Sequence, residues 1–219
     1  MAARKARVLE PRKTPVQSRS KATVDAIFQA TIQVLLVQGS SRLTTIRVAE
    51  RAGVSVGTLY QYYPNKQALL GAVLEWHLLR VVATVEEAAR SAQHAPLATM
   101  VRAVVGAYVA AKMHDVTEAQ ALYRVAGELD AVPLIRAISQ RGHVAVTAML
   151  ETASDASFDD TGLCAYMFVA AMAGPSRAML EGGASPAMFA ALTPQLESLC
   201  LGYLEREARR RPAASAGTR

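Results

Sequence analysis

Hydrophobic positions along this 219-residue chain recur at intervals of three and four almost throughout, and nowhere alternate with polar ones over a convincing length. That period marks helices with one buried face. The first pattern begins near Ser20, where Val24, Ile27, Phe28, Ile32, Leu35 and Leu36 share a stripe, and it stops at Gly39, a natural helix terminator. A second starts at Thr44 or Thr45 and carries Ile46, Val48, Ala49 and Ala52 as far as Gly53; a third, short one begins at Ser55 and is ended by Pro64. Asn65 then caps a long helix in which Leu69, Leu70, Val73, Leu74, Trp76, Leu78 and Val81 form a wide apolar stripe continuing to about Arg90.

Pro96 opens a further helix through Tyr108 to about Met113, Thr117 caps a short one ending near Leu129, and Pro133 stands at the first position of another reaching about Glu151. The polar stretch SDASFDD interrupts the pattern, the segment from Asp160 to Gly182 is dense in Ala, Gly and Met, and EGGASP ends it. A last pattern runs from about Ser185 to Arg211, with a break expected at Pro194. The fold class predicted is all-α. Composition agrees: hydrophobic residues make up 52%, rich in Ala, Leu and Val, while aromatics reach only 5%. Ala and Leu cost least in helices, and strands favour aromatic and β-branched residues. The longest uninterrupted apolar runs are far short of about 18 residues, so no membrane-crossing helix is expected.

Charge changes the picture. Residues 1–66 carry eleven Lys and Arg against three acids, whereas the remaining 153 residues hold 13 basic and 15 acidic groups. A basic head on a near-neutral body is the electrostatic footprint of a module that meets a polyanion. Residues 1–19 hold Arg4, Lys5, Arg7, Arg12 and Lys13 with two prolines and no helical period, and read as a disordered basic arm; 212–219 read as a disordered tail. The basic start has no apolar stretch behind it and so does not resemble a secretory signal. Cys164 and Cys200 sit far apart in apolar segments, as buried thiols of a reducing cytoplasm would. His77, His94, His114 and His143 show no metal-ligand spacing, and no nucleophile–base constellation suggests an enzyme or a cofactor. Scattered carboxylates such as Glu86 and Glu87 read as solvated surface.

Three short helices followed by a long one, with glycine at the tight turn between the second and third, is the arrangement of a helix-turn-helix, here over residues 44–63. In AERAGVSVGTL, Ala49 and Ala52 let two helices cross closely, Gly53 supplies the left-handed turn, Val54 plugs the angle and Ser55 caps the third helix. Leu59 and Tyr63, four apart, point inward. Val56, Gly57, Thr58, Tyr60 and Gln61 face outward near the end that would enter a major groove. Gly57 costs about 0.5 to 1 kcal/mol relative to Ala in a helix, which makes sense where a backbone must approach something closely. Lys66 lies at the positive end of a helix dipole, an unfavourable place unless a phosphate binds there.

The stretch from Thr44 to Leu70, TTIRVAERAGVSVGTLYQYYPNKQALL, resembles the DNA-binding head of the TetR family of bacterial transcriptional regulators. The resemblance runs from about Ser20 to Leu70 and rests on the threonine cap, AGVS, GTLY, and NK with a leucine pair. It departs from the family pattern in Pro64 and in Tyr63, where Phe is commoner. It implies about nine helices, three in the head and the rest in a ligand-binding and dimerisation body. It also implies that Thr45, Tyr60, Tyr62 and Lys66 meet phosphates, with Ser55 at the same helix start, while Val56, Gly57, Thr58 and Gln61 mainly meet bases. The last two helices would form a four-helix dimer interface.

The expected domains are a head over 20–80 and an effector-binding and dimerisation body over 81–211. Trp76, Tyr108, Met113, Tyr123, His143, Met167 and Met172 are candidates for lining a partly apolar effector pocket, though Met and aromatic residues at helical spacing also serve as plain core. Together these features predict a cytoplasmic homodimeric repressor on double-stranded, palindromic DNA, released by a small molecule, with no metal and no membrane. The alternative is a helical protein-interaction module whose basic head meets an acidic partner. A membrane-surface role for the arm lacks the apolar face it would need.

Overall fold

The computed structural model describes residues 18–210. Among them are nine helices: α1 (Ser18–Arg42), α2 (Thr45–Ala52), α3 (Val56–Tyr62), α4 (Lys66–Ser91), α5 (Leu97–Met113), α6 (Val116–Glu128), α7 (Val132–Leu150), α8 (Thr161–Gly182) and α9 (Pro186–Glu207). The basic arm lies outside the described residues except for its last two, which begin α1, and the tail 212–219 lies outside altogether.

Helix ends follow the local chemistry. Gly39, at φ 75° and ψ 168°, breaks the α-helical path of α1 before a short turn to Arg42. Thr44 caps α2 by accepting from the Arg47 amide at 3.3 Å, and Asp160 caps α8 by accepting from the Leu163 amide at 2.8 Å. Ser185 caps α9 with Pro186 in its first turn.

Two compact units divide the chain: residues up to Leu78 with Thr117–Leu134, and Leu79–Val116 with Ile135 onward. The single boundary near residue 80 drawn from the sequence therefore differs from the packing, which places most of α6 with the head. In the first unit Ile27, Phe28, Leu43, Val48, Leu59, Tyr63, Leu69 and Leu70 are buried, with Leu122 and Val125 of α6. In the second, Met100, Val104, Val146, Met149, Phe168, Met172, Leu192, Leu196 and Cys200 form one core, with α9 packed on α5 and α8. Both cysteines are free and buried.

Four expectations are corrected. Pro194 does not break α9: its ring lies on the exposed side, and Leu192 and Leu196 hold the opposite side in the core. The last helix stops at Glu207, because the strand β2 (Arg209–Arg210) pairs antiparallel with β1 (Ala156–Ser157), beside an Arg209–Asp159 ion pair of 2.7 Å. Glu86 is more than solvated surface, since it accepts both hydrogen bonds of the Arg141 guanidinium, at 2.7 and 2.9 Å, tying α4 to α7. Finally, three helices are long and apolar enough by length and composition to cross a membrane: Ser20–Arg42, α4 and α8. A uniform apolar run is not required for that, because a high Ala, Val and Leu content with few charges raises the average, and in each the apolar stripe serves in part as protein core.

Candidate nucleic-acid interface

The site begins with a turn. Ala49 is fully buried, so α2 crosses closely to its neighbours, and Gly53 closes the helix at φ 68° and ψ 27°, with its amide donating to the Glu50 carbonyl. A side chain there would be strained, which fixes glycine at this corner. The chain restarts at Ser55, whose hydroxyl accepts from the Thr58 amide at 2.9 Å and shares a 2.8 Å hydrogen bond with the Thr58 hydroxyl. One backbone donor at the start of α3, the Thr58 amide, is thereby capped by a neighbouring side chain.

On α3 one face is lost to the core. Leu59 is fully buried, and Tyr63 just beyond the helix packs its ring 5.8 Å from Phe28 and 6.3 Å from Tyr62. Burial pushes the Tyr63 phenol well above its ordinary range. The opposite face carries exposed Gly57, Tyr60 and Gln61 and half-buried Val56, Thr58 and Tyr62. A Cβ on Gly57 would meet nothing closer than the Ser55 hydroxyl at 3.7 Å, an ordinary contact. Among the described residues nothing demands glycine at that position.

Thr45 and Tyr60 revise the reading of the rim. Thr45 is only 8% exposed, and its hydroxyl shares a 3.0 Å hydrogen bond with the Tyr60 hydroxyl, whose residue is 40% exposed. Thr45 therefore orients the tyrosine from behind. Lys66 also has a partner inside the protein: its ammonium donates to the Ser40 carbonyl at the end of α1. Its place at a helix start is thus offset by a neighbouring helix end, while Asn65 takes the cap by accepting from the Ala68 amide at 2.8 Å. The sequence reading overlooked Arg47, which donates to Gln38 at 2.7 Å and to the Arg42 carbonyl at 3.0 Å. It also overlooked Ser40 and Glu128, whose side chains are joined at 2.6 Å. The available signal was charge at the wrong helix end, read for Lys66 but not for Glu128.

The seven candidate pocket residues are divided between the two units. Trp76 and Tyr123 belong to the first unit, where the Trp76 ring packs 5.7 Å from Phe28. In the second unit Tyr108 is buried, and burial pushes its phenol up to about 12; Met172 is core and Met113 packs against that core. His143 Nε2 donates to the Gly162 carbonyl at 2.9 Å and its ring stands edge-on to Tyr166. Met167 is 44% exposed on the outer side of α8. Among the described residues no cluster of His, Cys, Asp or Glu could hold a metal ion.

Comparison with known proteins agrees with this geometry. Residues 27–73 match the model described as bacterial regulatory proteins, tetR family, and residues 96–204 match the tetracyclin repressor-like C-terminal domain, together well over half of the chain. Nucleoid occlusion factor SlmA of Haemophilus ducreyi is 36% identical over 66 residues, 28% of this chain and 33% of that protein; SlmA of Vibrio atlanticus is 36% identical over 53 residues, 24% and 27%. The matched stretches thus span a third or less of those relatives. A solved chain from Mesorhizobium loti assigned to the TetR-family transcriptional regulators superposes with a TM-score of 0.73 at 17% identity, covering 88% of this chain and 100% of that one. The fatty acid degradation regulator FadR of Bacillus halodurans gives 0.66 at 19%, covering 90% and 100%. Such likeness carries the fold, the two domain models carry the assignment, and the chain belongs to the TetR family of bacterial transcriptional regulators.

Proposed function

We propose that this regulator is a homodimeric, cytoplasmic, non-enzymatic repressor that reads a palindromic operator in double-stranded DNA and is released by a small molecule. The observation that carries the DNA reading is the outer face of α3. It offers Gly57, Thr58 and Gln61 on a helix start organised by Ser55, with Tyr60 beside them. In this reading Val56, Gly57, Thr58 and Gln61 meet base edges, Tyr60, Tyr62 and Lys66 meet phosphates, and Thr45 acts through Tyr60. No cofactor enters it.

Dimerisation is assigned to α8 and α9. Leu163, Tyr166 and Met167 on α8, and Met188 and Leu199 on α9, are exposed at helical spacing among small residues such as Ala170, Ala173, Gly174, Ala191 and Gly202. Five large apolar side chains left open on two packed helices form the kind of face that a second copy covers. Effector binding falls to the helical body. There, release requires the ligand to bind the DNA-incompetent arrangement better than the competent one.

Selection of bound duplexes from a random pool is the deciding experiment. The expected product is a palindrome whose half-sites lie about one helical turn apart, or a multiple of it. A pool that enriches nothing would overturn the operator reading and leave the basic head to an acidic partner.

A further inference from the structure

Lys66 is a cation at the first position of α4, and Glu128 an anion at the last position of α6. Each stands at the end of its helix where the dipole disfavours its charge. Both nevertheless converge on one residue. The Lys66 ammonium donates to the Ser40 carbonyl, and the Ser40 hydroxyl donates to Glu128 Oε1 at 2.6 Å. Ser40 follows the non-helical Gly39 and opens the short turn leading to Thr44, the cap of α2. Its carbonyl also receives the Leu43 amide at 3.3 Å, and Arg47 holds the Arg42 carbonyl two residues later. Residues 40, 66 and 128 are far apart in the chain but lie in one compact unit.

We propose that Glu128 is a positioning residue for DNA binding: through the Ser40 hydroxyl it fixes the carbonyl on which Lys66 rests, and so holds that ammonium ready for a phosphate. The effect is positional. These side chains are exposed or half-buried, where a single hydrogen bond adds little to stability. A lysine has a long flexible stem, and ordering its ammonium before DNA arrives removes that cost from the binding step. The inference rests on the proposed phosphate role of Lys66.

The test uses the full chain and a mixed-sequence 30-base-pair duplex (length set by roughly three helical turns), with affinity measured across a salt series. Melting is followed in parallel, and all variants are expected to melt within about 2 °C of the parent. Lys66→Gln should lower the slope of log affinity against log salt by about 0.9, the value for one phosphate contact. Ser40→Ala and Glu128→Ala should weaken binding about threefold or more and move the slope toward that of Lys66→Gln, whereas Glu128→Gln, which keeps an acceptor, should bind like the parent. If Glu128→Ala and Glu128→Gln both tighten binding equally, the carboxylate merely repels phosphate and the proposal is overturned. Parent-like slopes in Ser40→Ala and Glu128→Ala, beside a reduced slope in Lys66→Gln, overturn it alone. An unchanged slope in Lys66→Gln removes the phosphate role of Lys66 itself and takes this proposal with it.

Discussion

Tyr60 and Gly57 sit three residues apart on one helix and test the interface from opposite directions. Tyr60→Phe removes the hydroxyl that meets Thr45 at 3.0 Å and leaves the buried threonine without that partner, at a cost of about 1 kcal/mol. Affinity should fall about equally on operator and unrelated duplex, as loss of a phosphate contact requires; a loss confined to the operator would contradict the assignment. Gly57→Ala has room in the free protein, so it should raise stability in urea by about 0.5 to 1 kcal/mol while weakening DNA binding. Unimpaired binding would show that no backbone approach occurs there. In the body, Lys112 is only 3% exposed, and burial lowers its pKa from 10.5 to about 8. Between those values the unfolded chain holds the proton and the folded chain does not. Stability from this group should therefore rise with pH across that window, and below about pH 8 its buried charge weighs against folding. Denaturant melts of Lys112→Met and the parent should differ least near pH 10, and a difference that does not change between pH 7.5 and 10 would refute this.

Caps and corners decide the elements, and a cap has a measurable worth. Ser55→Ala should destabilise the protein by about 1 kcal/mol, because the Thr58 amide loses its 2.9 Å acceptor, and should cost DNA affinity beyond that by loosening the start of α3. A denaturation midpoint equal to the parent's would show that the hydroxyl is replaceable by solvent. Signals of this local kind were readable in the sequence: Gly39, Gly53, Ser55, Asn65 and Ser185 mark boundaries through their own backbone and side-chain chemistry. Where the outcome depended on what lay across from a residue, the sequence was mute. Nothing near Thr45 announced that Tyr60 would meet its hydroxyl, and nothing near Lys66 announced a carbonyl 26 positions earlier. Pro194 looked like a break because its chemistry is local, yet its exposed side and the buried leucines flanking it kept α9 whole. The pocket candidates were chosen by residue type, which says that a side chain is apolar but not which helix faces it, and they are divided between the two units.

At the scale of the whole molecule, operator recognition and association are coupled in this reading. Leu199 is 52% exposed on α9, so Leu199→Glu should leave each chain folded while shifting sedimentation from dimer to monomer and reducing operator affinity at least about tenfold, since one head then reads one half-site. A variant that stays dimeric would move the interface elsewhere. The hairpin of α8 and α9 is closed at both ends: Gly183 to Ser185 join the helices at one, and β1 with β2 ties the start of α8 to the end of α9 at the other. A frame fastened twice does not splay, so the apolar face exists in the lone subunit before any partner arrives. Encounter should then be docking of two finished surfaces, fast and without a folding phase. Subunits mixed from two differently labelled stocks should exchange at the rate at which dimers come apart, independent of protein concentration.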